Sequence, residues 1–73
     1  MDRIELAVAI EVGCLLRRRR EEQEKSVEEL AIAIEADMET VRQIEAGELL
    51  PTLMQFLKAA KFLGIEIIPY PEN

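Results

Sequence analysis

The sequence predicts an all-α fold, a compact bundle of four to five helices followed by a short C-terminal β-strand or extended arm. Three observations predict it. Only three of the 73 residues are Gly and three are Pro, so few positions interrupt a helix. Apolar residues make up 49% of the chain and recur at three- and four-residue spacing, the period of a helix with one buried face. Start and stop residues punctuate that pattern: Asp2, Ser26, Asp37 and Thr52 precede apolar runs, and Gly47 and Gly64 follow them.

Asp2 with Glu5 forms a capping-box start for a first helix from about Arg3 to about Glu24, with Ile4, Val8, Val12, Leu15 and Leu16 as its inward stripe. Leu6, Ala7, Ile10 and Cys14 form a second apolar strip pointing elsewhere. A domain this small has no second core to take it, so the strip suggests a partner surface. Ser26 with Glu29 caps a second helix, Val27 to about Ile34, with Val27, Leu30, Ala31 and Ile34 inward. Asp37 caps a third, about Met38 to Ala46, which Gly47 ends in a left-handed conformation. Pro51 or Thr52 opens a fourth, with Leu53, Phe56, Leu57, Ala60 and Leu63 inward and Gly64 as its stop. The tail over residues 65–73 begins with the β-branched run "IEIIPYP", which reads as an edge strand or arm.

Composition bounds the function. The length accommodates one domain, residues 1–73, without a large enzyme pocket. With no His and a single Cys14 there is no metal-ligand cluster, no intramolecular disulfide and no imidazole for acid/base chemistry. An enzyme is therefore not expected, nor any cofactor or metal. The apolar start is interrupted by Arg3, Glu5 and Glu11 and lacks the flanks of a signal peptide, so no membrane association is expected and a cytoplasmic location is. The net charge of −6 is unevenly placed. Ser26 to Glu48 holds seven acidic residues against Arg42 alone, while Arg17 to Arg20 form a basic block just before it.

The spacing of Val12-Gly13, Leu16-Arg17, Arg20, Ser26, Leu30-Ala31, Thr40-Val41, Ile44-Glu45-Ala46-Gly47, Pro51 and Leu63-Gly64 resembles the phage-repressor (Cro-like) helix-turn-helix family, also called the xenobiotic-response-element family. The resemblance places the helix-turn-helix pair at about residues 26–47. It implies a DNA-binding transcriptional regulator, with helix three as the element that reads DNA. It also implies that Arg20 and Glu45 form a structural ion pair between helix one and the end of helix three. The chain departs from the family pattern at Glu35, where Gly is usual in the turn, and at Val27 and Met38, where polar groups are usual. Arg19 and Lys25 stand where apolar residues are common.

Candidate DNA contacts are Arg17, Val27, Met38, Glu39, Thr40, Arg42 and Gln43. Gln43 has the chemistry to bond adenine bidentately, Glu39 to accept from a cytosine amine and Arg42 to meet a phosphate. Any exposed amphipathic helix would carry such groups too, so contact and plain exposure stay equally open. A homodimer reading two half-sites of a palindrome is expected, with Leu6, Ile10, Cys14, Ile65, Ile67 and Tyr70 as candidate interface residues. The acidic segment supports a different class as well, an adaptor, antitoxin-like or DNA-mimic module whose partner is a protein with a basic surface.

Overall fold

The computed structural model describes residues 1–67, which form four helices: α1 Arg3–Glu22, α2 Val27–Ile34, α3 Met38–Glu45 and α4 Leu53–Leu63. Each opens on a side-chain cap. Asp2, Ser26 and Thr52 make reciprocal capping boxes with Glu5, Glu29 and Gln55, and Asp37 accepts from the Thr40 amide at 2.8 Å.

All four close in the same way. A left-handed residue follows the last turn, at Glu24, Glu35, Gly47 and Gly64. The next amide then reaches back five residues: Lys25 to the Arg20 carbonyl, Ala36 to Ala31, Glu48 to Gln43 and Ile65 to Ala60. Two of these positions are glutamates, which bear a steric cost of about 1–2 kcal/mol that glycine avoids. The left-handed turn at Glu24 is also why α1 stops at Glu22, two residues short of the expected end.

Leu16, Leu30, Ala31, Ile34, Val41, Ile44, Ala59 and Leu63 build the core, with Val12, Val27, Phe56, Phe62 and Ile65 packed around it. α2 packs on both α3 and α4, and α1 lies across α3 and α4. At the α1–α3 crossing, a Cβ on Gly13 would overlap the Ile44 carbonyl oxygen, so only glycine admits this approach.

The inward stripes of α1 and α4 need correction at their first turns. Ile4 is 77% exposed, Val8 is exposed, and burial in α1 begins at Ala9. Leu53 is 74% exposed and Leu57 also faces solvent, while Ala59 is buried instead. Ile4 and Leu53 stand in first turns that no neighbour covers, while Val8 and Leu57 lie on the outward side of their helices beside Ala9, which is buried, and Phe56, which packs on the core. Residues 65–67 carry no strand; the rest of the expected strand or arm lies outside the described residues. No helix among the described residues is long and apolar enough to cross a membrane.

Candidate nucleic-acid interface

The outward face of α3 is set by how the helix is held. Val41 and Ile44 are buried, Glu45 turns in toward Arg20, and the other residues of its eight-residue span lie on or beside the outward face. Met38, Glu39 and Arg42 are exposed, and Thr40 and Gln43 are half-buried at the edges of that face. Glu35, Ala36 and Asp37 are the whole connection between α2 and α3. The backbone reverses at Glu35 (φ 59°, ψ 45°), and the Lys58 ammonium lies 2.7 Å from its carboxylate. That contact from α4 pins the turn to the body of the protein.

The far end of α3 is fixed by charge. The Glu45 carboxylate accepts from Arg20 Nε at 2.7 Å and Nη2 at 3.0 Å, and Arg20 Nη1 donates to the Lys25 carbonyl at 2.8 Å. The two side chains are only 11% and 7% exposed. The hydrogen bond to Glu45 raises the Arg20 pKa above its ordinary value, although burial opposes it. This bidentate pair ties α1 to α3 and orients the outward face of α3 without itself reaching the surface.

The acidic residues of this region are largely employed in the fold. Glu45 is paired with Arg20 and Glu35 with Lys58, so two positive charges from outside the segment compensate two of its seven negative ones. Glu29 accepts from the Ser26 amide at 2.7 Å, and Asp37 caps α3. Thr40, through its side chain first and its amide second, holds the Asp37 carboxyl below the usual Asp value; the Lys58 hydrogen bond and charge do the same for Glu35. Glu28, Glu39 and Glu48 are exposed and enter no ion pair among the described residues.

The other predicted residues do not all share one surface. Arg17 is 61% exposed with a long 3.3 Å contact to Glu21, and it lines a groove with Ile10, Cys14 and Ala46 beside the C-terminal end of α3. Val27 packs partly on the core, so what it can offer a phosphate is its backbone amide at the start of α2. Leu6, Ile10 and Cys14 are exposed on α1. Ile10 also abuts the position where a Cβ would stand on Gly47. Ile65 is turned back onto the core, Ile67 is 45% exposed, and Tyr70 lies outside the described residues.

Two contributors had no sequence signal. Lys25 Nζ donates to the Phe62 carbonyl at 2.8 Å and sits 4.0 Å from the centroid of the Phe62 ring. Gln23 Nε2 donates to the Leu63 carbonyl at 2.6 Å. Together they satisfy carbonyls at the end of α4 from the α1–α2 turn, which explains how polar residues serve at and near a position where an apolar one is common.

A family model described as a helix-turn-helix domain matches residues 11–66. No curated protein and no solved structure matches the chain.

Proposed function

The chain belongs to the helix-turn-helix domain family, and from that premise we propose that it is a small DNA-binding transcriptional regulator of the phage-repressor type, reading a palindromic site as a homodimer through α3. The single observation that carries this reading is the division of α3, whose apolar positions are committed to the core while Thr40, Arg42 and Gln43 stand on or beside its outward face. Gln43 would read a base edge, Arg42 and Arg17 would neutralise phosphates, and the first amides of α2 and α3 would receive phosphate oxygens. Among the described residues, no protein group accepts from the Met38 and Glu39 amides.

Charge limits how such a protein binds. Nonspecific affinity comes from cation–phosphate contacts, and here they are few. Binding should therefore depend on base and amide contacts, with a shallow salt slope. The exposed Glu28, Glu39 and Glu48 favour a second reading, in which the same scaffold presents an acidic face to a basic protein as an adaptor, antitoxin-like or DNA-mimic module, with weak or no DNA binding.

Fluorescence anisotropy against random-sequence duplex and the protein's own upstream DNA, at low and physiological salt, separates the two. Tight upstream binding with a shallow slope supports the regulator. Absence of binding even at low salt overturns it in favour of the acidic module.

A further inference from the structure

The first turns of α1 carry an apolar surface that the fold leaves bare. Met1, Ile4, Leu6, Val8 and Ile10 are each at least 45% exposed, and a shallow open depression runs over Arg3, Ile4, Ala7, Val8 and Glu11. Isolated exposed apolar residues are ordinary, but here Ile4 and Val8 form one strip of the helix and Leu6 and Ile10 another, with Ala7 between them. At its edges stand two opposite charges, Arg3 and Glu11, both exposed and absent from every ion pair among the described residues.

Their positions specify an occupant. Helical spacing puts residues 3, 4, 7, 10 and 11 on one side of α1, and position 7 is the midpoint both of 3 and 11 and of 4 and 10. If a second α1 lies antiparallel with the two-fold axis at Ala7, each Arg3 faces the other copy's Glu11 and each Ile4 faces the other copy's Ile10. The small Ala7 sits where the helix axes approach most closely. The charges match twice, once at each end, which a parallel arrangement does not achieve because it sets Arg3 against Arg3 and Glu11 against Glu11.

We propose that the N-terminal half of α1 is a self-association surface that pairs antiparallel with a second copy of this chain about Ala7. This rests on the homodimer reading above and gives it a particular interface, one that uses Ile4 and Ala7 with Ile10 and leaves Ile65 in the core of each subunit. The paired segment, residues 1–13, is about 20 Å long. It is smaller than the roughly 800 Å² per partner of a standard interface, so the dimer should dissociate in the micromolar range.

Sedimentation velocity on the full chain over a concentration series tests this with three charge variants. Arg3→Glu alone and Glu11→Arg alone each set like charges opposite one another and should weaken association about tenfold. The double variant restores opposite charges and should return close to the parent. Arg3 and Glu11 are eight positions apart on exposed helix, so neither change should disturb folding. Independently, Ala7→Cys in a Cys14→Ser background should give a disulfide-linked dimer under mild oxidation, because the two positions meet at the axis. A parent dimer that is indifferent to the charge swaps and does not cross-link at position 7 would overturn α1 pairing while leaving the homodimer reading in place. A chain that stays monomeric to high micromolar concentration would overturn both and leave the face to a different protein.

Discussion

From Ala9 onward α1 buries Ala9, Gly13 and Leu16, and Arg20 reaches Glu45, whereas the preceding Ile4, Leu6 and Val8 stay exposed although each is larger and more apolar than Ala9 or Gly13. Burial here follows what lies alongside the helix. Gly13 lets the end of α3 come within backbone contact of α1, and on that side of the helix Leu16 and Arg20 are enclosed. Before Ala9 no other helix covers Ile4, Leu6 or Val8, and hydrophobicity alone encloses nothing.

The largest test of this contrast is Glu45→Ala. It would strand the Arg20 guanidinium in a nearly closed site, and urea unfolding should show a loss of about 3–5 kcal/mol. Next is Gly13→Ala, whose methyl must displace the Ile44 carbonyl. It should cost about 1–3 kcal/mol despite alanine's better helix propensity, and a neutral result would mean that the crossing is looser than described.

Against these, much of the fold was legible in the sequence and part of it was not. The caps at Asp2, Ser26, Asp37 and Thr52 and the stops at Gly47 and Gly64 are local devices, readable because the residue type and the backbone need coincide. Ile4 and Leu53 were misread because periodicity gives a helix its faces but not the length over which another element covers them. Ala9 and Ala59 were passed over because alanine marks close helix approach as readily as exposure. The Arg20–Glu45 pair came from family spacing; no local pattern joins residues 25 positions apart. The Lys58 contact to Glu35 had no signal in the sequence, since it joins residues 23 positions apart on different helices.

Smaller effects sharpen the comparison. Glu35→Gly relieves a left-handed backbone and loses one exposed contact to Lys58. A net gain of up to about 1 kcal/mol is expected in thermal or urea unfolding, showing that the turn tolerates what the α1–α3 crossing does not. Ile4→Ser, in the bare first turn of α1, should alter stability by less than about 0.5 kcal/mol when measured at low concentration, in contrast with Gly13→Ala and Glu45→Ala at the α1–α3 crossing.

The pH dependence is the slightest effect. The folded-state pKa values of Asp37 and Glu35 lie below their ordinary values of 3.8 and 4.5. Their contribution is thus fully present above the ordinary values and is lost as pH falls through the lower, folded ones. Urea midpoints should hold steady from pH 7 to about pH 5 and decline below it. Asp37→Asn should flatten part of that decline, in the parent and in the Gly13→Ala and Ile4→Ser variants alike.

The bonds from Gln23 and Lys25 to the last carbonyls of α4 bear on the motion of the chain. A final helix ordinarily frays from its end, exchanging its amide hydrogens through small local openings. Here the end of α4 is fastened to residues 40 and 37 positions earlier, so its last turn cannot unwind without also releasing the α1–α2 connection. Its amides should therefore exchange by way of larger cooperative openings, at rates near those of α2. Replacing Lys25 with Met, which keeps an unbranched side chain and removes the ammonium that bonds the Phe62 carbonyl and sits over its ring, should return that turn to faster exchange while α3 keeps its protection.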